Sequence, residues 1–271
     1  MHHPLSKSYK HTYPFRLATT SFIYPDGYIQ NVKMLAPYLD EIELLMFESA
    51  EKSLPSERDI ETLSLLAKES DLTYNIHLPV DVSLTDKNPS ESRRALEAVR
   101  RVIELTAKLS PSTFTLHLPY DEPSRRKEDV RIWQDIAYKN VEALMSAGIS
   151  SDAERISVET MNYPIEWAER IINDHHLSVC LDIGHLIRYG FDMEAVFDRY
   201  SDITSILHVH GVENGRDHIA LNRLSEIRSD AVMKILKQFK GTVSLEVFSY
   251  KDLTASLTFL EERWGRVMRD T

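Results

Sequence analysis

Eight short apolar runs rich in β-branched residues alternate with longer stretches of helical periodicity, and this alternation constrains the fold more than any other feature of the chain. The runs are 15–19, 41–46, 73–78, 113–118, 156–160, 178–182, 206–210 and 243–247. Between them, segments such as 59–69, 92–109, 130–145, 165–173, 193–200, 231–238 and 253–264 carry Leu, Ile and Ala at three- and four-residue spacing. Eight strand-helix units in about 250 residues predict an α/β fold, a single (β/α)8 TIM barrel. An open doubly wound sheet is the alternative, but FRLATTSFIYP follows the first strand where a G-x-G-x-x-G turn is required, and the chain has only 8 glycines. Residues 1–12, polar and without periodicity, read as a flexible or loosely docked arm, and residues 13–271 as one catalytic domain.

In such a barrel the active site lies at the carboxyl ends of the strands. The third run ends on His77, the fourth on His117, the fifth on Glu159, and the sixth gives Asp182 and then His185. The seventh carries His208 and His210, followed by Asp217 and His218, and the eighth carries Glu246. Six of the 11 histidines thus fall at or just beyond predicted strand ends, mixed with carboxylates. Imidazole and carboxylate are the donor set for zinc, manganese or iron, and a barrel mouth makes them converge. A single strand-end histidine is more often a hydrogen-bonded structural group, and Glu159 or Glu246 alone suits a buried arginine. Together, without a cation, these groups would be strongly destabilising.

Strand geometry refines the assignment. His208 and His210 are two residues apart and share a face, so His210, nearer the strand end, is expected to be the ligand and His208 to orient a ligand or contact substrate. Cys180 alternates with Asp182 and reads as packing. Arg188, Arg216 and Arg223 follow ligand-bearing strands and are candidates to clamp a phosphate, whereas Arg125 and Arg126 read as a solvated charge run. Glu43 and Glu48 flank the second strand end as candidate substrate contacts, and His175 and His176 belong to a turn at the opposite end.

Composition limits the partners. Lys plus Arg is 32 against 42 for Asp plus Glu, a net charge of −10, which argues against a broad electrostatic grip on nucleic acid or anionic membrane. The lone Cys180 and the lack of a long apolar run predict a cytoplasmic protein without a membrane association.

At these residues the chain resembles the xylose-isomerase-like superfamily that includes apurinic endonuclease IV (AP endonuclease family 2) and many sugar isomerases and epimerases. The resemblance runs from about Phe15 to Trp264. It implies His77, His117 and Glu159 as ligands of a first ion, Glu159 with Asp182, His210 and Glu246 for a second, and His185 with His218, and Asp217, for a third. Endonuclease IV members have an Asp-x-His pair where this chain has Arg216, Asp217 and His218, and Glu213 stands in HGVE in place of an Asp. The stretches TTSFIYPDGYIQNVKMLAPYLDEIELLMFES, YNIHLPVDVSL, LDIGHLIRYG, LHVHGV and RDHIAL are similar to the cobamide-remodelling phosphodiesterases, the CbiR family. That resemblance implies hydrolysis of the nucleotide loop of a cobamide, a B12-type corrinoid, to cobinamide phosphate and α-ribazole. It implies two or three zinc ions, or manganese or iron, with Glu159 and Glu246 positioning water and His208 or an arginine helping to hold phosphate. A metal-dependent sugar isomerase or epimerase, with one ion and a Glu159/Glu246 acid-base pair, is the second class, and a non-catalytic barrel binding a corrinoid or sugar is the third.

Overall fold

The computed structural model describes residues 2–267. In chain order the elements are β1 Arg16–Thr20, α1 Tyr28–Leu35, β2 Glu41–Leu45, α2 Glu57–Ser70, β3 Thr73–His77, α3 Pro89–Thr106, β4 Phe114–Leu116, α4 Lys127–Leu144, β5 Ile156–Glu159 and α5 Glu169–Asp174. They continue with β6 Ser178–Asp182, α6 Ile183–Tyr189, α7 Met193–Tyr200, β7 Thr204–Val209, β8 Gly211–Glu213, β9 Arg216–Ile219, α8 Glu226–Gln238, β10 Thr242–Leu245 and α9 Tyr250–Val267. Strands β1 to β7 and β10 close into the expected barrel, with every ladder parallel.

The strands alternate strictly. Ile42, Leu44, Tyr74, Ile76, Val158 and Leu207 are buried toward the helices. The intervening residues, among them Glu41, Glu43, Asn75, Thr115, Ser157, Cys180, His208 and Ser244, are buried too, on the lumen side. A lumen this polar departs from the branched aliphatic layers usual in such barrels. Helix ends follow local chemistry: Ser56 and Asp59 form a capping box on α2, and Asn88 caps α3 with Pro89 behind it.

Three features differ from the sequence expectation. The amino-terminal arm is docked rather than loose: Leu5 and Tyr9 are buried, the Tyr9 N–H donates to Tyr38 O (2.8 Å), and Lys10 Nζ donates to Ser70 O (2.6 Å). Two apolar anchors suffice where the flanking polar residues hide any periodicity. Helices α1 and α6, at eight and seven residues, are too short for a periodic signal. The β8–β9 hairpin turns at Asn214 and Gly215, both at positive φ (51° and 77°), the conformation an Asn-Gly turn favours. Met1 and residues 268–271, which the expected arm and domain include, lie outside the described residues. No helix among the described residues is long and apolar enough to cross a membrane.

Candidate metal centre

The carboxyl ends of β3 to β7 and β10 bring His77, His117, Glu159, Asp182, His185, His208, His210, His218 and Glu246 into one cluster, as the strand-end pattern predicts. Four sets have donor atoms within 4.8 Å of one another: His77, His117 and Glu159; Glu159, Asp182, His208 and Glu246; Glu159, Cys180 and His208; and Asp182, His185, His210 and His218. Glu159 links the first two sets. Its Oε2 lies 2.7 Å from His117 Nε2 and 3.3 Å from His77 Nε2, while its Oε1 lies 3.4 Å from His185 Nδ1 and 3.7 Å from His208 Nδ1.

Second contacts of the imidazoles set their tautomers. His77 Nδ1–H donates to Leu78 O (3.0 Å) and His185 Nδ1–H to Thr160 O (3.1 Å), which leaves the Nε2 lone pair of each for an ion. His208 Nε2 lies 3.0 Å from Glu43 Oε1, and Glu43 Oε2 accepts from Ser244 Oγ (2.6 Å), so Nδ1 of His208 faces Glu159 and Glu246. His210 is opposite in kind: its Nδ1 accepts the backbone N–H of His218 (2.9 Å), which puts its proton on Nε2, 3.1 Å from Asp182 Oδ1. In that tautomer His210 donates to Asp182, and an ion at Nε2 would displace that proton; Nδ1 also lies 3.3 Å from Gly211 O. His208 thus joins the carboxylate set, while His210 keeps its place in the set with Asp182, His185 and His218 and is also placed to orient Asp182.

Local folding explains the approach. Asp182 ends β6 and caps α6, accepting the His185 N–H (2.8 Å), so one carboxylate both starts the helix and faces the cluster. Gly184 lies under the His210 ring; a Cβ there would sit 2.0 Å from the imidazole. The hairpin then returns the chain so that His218 reaches Glu246 Oε2 (3.3 Å) and its ring stacks on His210 at 4.1 Å.

The site is buried and strongly coupled. Burial pulls the His185 imidazole down, but Asp182, Glu159 and Glu246 outweigh it and hold it up at about 11; His218 is held up at about 9, mainly by Glu246. Against the same burial penalty His77 is raised chiefly by Glu159, and His208 by Cys180 and then by Glu43, Glu246 and Glu159. Burial pushes Glu159 and Glu246 up, yet the facing imidazoles hold both well below the usual carboxylate range. The fit to a divalent ion is visible in the bonds left unmade: both His208 nitrogens and Glu246 Oε2 are buried without a properly angled hydrogen bond, although His208 Nδ1 and Glu246 Oε2 are only 3.2 Å apart. Groups that converge without bonding one another suit a cation between them.

A cavity of about 370 Å³ opens above the cluster, with Phe47, Val80, Met161, Tyr189 and Phe248 as its apolar wall and Asp121 and Asn162 among its polar lining. None of these was singled out from the sequence, because wall residues after strands carry no spacing signal. Among the described residues no lysine or arginine lines it. Several expected substrate contacts are elsewhere. Glu43 is fully buried one layer below, against His208, and Glu48 is exposed and bonded to Ser53. Arg188 is paired with Asp217, Arg223 with Glu213, and Arg216 is exposed on the hairpin outside the cavity lining. Asp217, taken up by Arg188 and His218, belongs to none of these sets. His208, expected to touch phosphate, has no exposed surface. Cys180 sits beside Glu159 and His208, with burial pushing its thiol up. Arg126 pairs with Asp129, and Arg125 donates to Asn162 O (2.7 Å). His176 is exposed in the turn before β6, away from the cavity.

The sequence profile of the family described as Xylose isomerase-like TIM barrel matches residues 39–267. Among solved structures, a D-tagatose 3-epimerase-like protein superposes with a TM-score of 0.77 at 19% identity, over 94% of this chain and 99% of its own. The IolI protein with a bound zinc atom gives 0.68 at 16%, over 91% and 97%. Endonuclease IV from Thermus thermophilus gives 0.65 at 16%, over 91% and 99%. Comparison with curated protein sequences finds no match.

Proposed function

This chain belongs to the xylose isomerase-like TIM barrel family, and from that premise we propose that it is a metal-dependent phosphodiesterase acting on a small phosphoester. The observation that carries the reading is the pair of histidine groups on either side of the four-residue set. Glu159, Asp182, His208 and Glu246 alone are the two glutamates, aspartate and histidine of a one-ion isomerase; His77 and His117 on one side, and His185 and His218 on the other, add donors for one or two further ions. Zinc, manganese and iron all suit this donor set.

When bound, such ions supply positive charge against phosphate oxygens and acidify water. The residues of the chain do the rest. His117 and His218, whose side chains are about one-fifth exposed, face the cavity, so any ions they help hold would lie where the phosphoryl group enters. Glu159 and Glu246 are acceptors that fix the attacking water, and Glu43 keeps His208 aimed at both. Phe47, Phe248 and Met161 keep bulk water from the reacting bond. The absence of basic side chains in the lining supports an uncharged or singly charged ester over a nucleic-acid backbone.

The substrate we propose is the nucleotide loop of a cobamide, on the sequence similarity to cobamide-remodelling phosphodiesterases. Metal-loaded protein incubated with adenosylcobalamin should release α-ribazole, seen by chromatography, and carry two or three ions per chain. One ion per chain, no α-ribazole and epimerisation of D-tagatose would establish the isomerase class instead, which the likeness to sugar epimerase structures favours. Metal-free protein of unchanged thermal stability would point to a binding barrel.

A further inference from the structure

Beside the metal centre a second cavity, of about 540 Å³, opens between the amino-terminal arm and the segments that follow β1 and β10. Its size is within the range of small-molecule sites, about 300–1,000 Å³. The wall is aromatic: Phe22, Tyr24, Phe248 and Tyr250 line it, with His2 and His3 of the arm across from them. The Tyr24 ring lies 4.8 Å from His2 and 5.8 Å from Tyr250. The arm is held there by the Tyr24 hydroxyl, which donates to His3 O (2.7 Å), and the Tyr250 hydroxyl, which donates to Pro4 O (2.9 Å). Among the described residues no carboxylate, lysine or arginine lines this cavity.

Phe248 joins the two cavities. It lines both, and its ring stacks on His218 of the metal centre at 5.3 Å and 21°. Phe22 and Phe248 are 49% and 41% exposed, large apolar surface left open at the rim of a polar cluster. Phe248 is the lining residue the two cavities share, so a ligand at His218 lies one ring away from the second cavity. Aromatic walls without formal charge recognise flat, neutral rings, and the His3 imidazole is at hand for a ring nitrogen at the edge, whereas His2 Nε2 is paired with Asp26 (3.3 Å).

We propose that this second cavity is the subsite for a planar heteroaromatic group that the substrate carries a few bonds from the reacting ester. The proposal rests on the phosphodiesterase reading only for what that group is attached to. The test is calorimetric titration of metal-loaded protein with α-ribazole, a benzimidazole nucleoside. Wild-type protein should bind one equivalent; Phe22→Ala, and Phe22→Leu, which keeps apolar bulk without a ring, should weaken binding at least fivefold, and Phe22→Tyr should restore it. Glu159→Gln, which disables the metal centre, should bind the nucleoside within twofold of wild type. The absence of saturable binding, or binding by Phe22→Leu within twofold of wild type, overturns the subsite. Kinetics separate the two ideas: hydrolysis of cobalamin with an unchanged KM in Phe22→Leu removes the subsite and leaves the phosphodiesterase. Phe22-dependent nucleoside binding without hydrolysis of any phosphodiester does the reverse.

Discussion

Glu41 and Glu159 are both buried in the barrel lumen, one at its amino end and one at its carboxyl end, and they are met by different chemistry. Glu41 accepts from Thr73 Oγ1 (2.6 Å), Ser112 Oγ (2.7 Å) and Asn75 Nδ2 (2.8 Å), and Arg16 Nε lies 3.1 Å away. Its partners are permanent donors, so its charge is satisfied by the chain alone. Glu159 is met by His77, His117, His185 and His208, whose rings, unlike those donors, can gain or lose a proton. A carboxylate set among permanent donors is structural; one set among exchangeable imidazoles is a place where a cation can take over from protons.

Substituting the two glutamates tests this contrast most directly. Glu159→Gln should lower phosphodiesterase activity about 10³-fold, equivalent to about 4 kcal/mol of transition-state stabilisation, and reduce bound metal, measured by kinetics and elemental analysis. Glu41→Gln should retain bound metal and cost about 1–3 kcal/mol of stability in urea unfolding. If both variants lose metal equally, the two ends of the lumen are not distinct. Chelation should act on the carboxyl end alone and lower the thermal midpoint by about 10 °C, the effect of removing about 4 kcal/mol of ligand stabilisation, with no such fall in Glu159→Gln.

Gly184→Ala should weaken metal affinity about 10–100-fold by displacing the His210 ring from Asp182. Unchanged affinity in a competition titration would remove His210 from the orienting role. The smallest effect is on pH. In metal-free protein His185 and His218 are raised to about 11 and about 9, so an ion must displace their protons and its apparent affinity should rise with pH, steeply up to about 9 and less steeply up to about 11. The sign for folding is the opposite: raised imidazole pKa values stabilise metal-free protein fully below about 6.5, and this is lost progressively as pH rises through about 9 and then about 11. Lowered carboxylate values act on the acid side, where stability falls once Glu159 and Glu246 protonate. Urea midpoints of metal-free protein measured from about pH 3 to about pH 11 check both directions.

Much of the site was legible because a strand repeats every two residues. His77, His117, Glu159, Asp182 and Glu246 each follow a lumen-facing residue two positions earlier, so their convergence follows from the strand pattern alone. That same period made His208 and His210 indistinguishable, since both share one face. Their roles were separated by the β8–β9 hairpin, which carries the His218 N–H back onto His210. The Asn-Gly turn that makes the hairpin stood in the sequence, but its placement against β7 did not. Glu43 shows the complementary limit. It is two residues from the end of β2, and only the ladder register, Glu43 opposite Asn75 and Leu45 opposite His77, places it below the cluster, where it supports His208 and cannot reach substrate.

The arginines after the ligand-bearing strands were beyond sequence reasoning for a different reason. Long side chains take the partner that folding brings near, and Arg188 and Arg223 found Asp217 and Glu213 on the hairpin. The sequence by itself determined the eight-stranded barrel and the ring of imidazoles and carboxylates at its mouth, because both follow from periodicity along one chain. Only the tertiary structure decided which imidazole nitrogen keeps its proton, which carboxylate is already satisfied and where the aromatic side cavity opens, because each depends on a neighbour from a distant element.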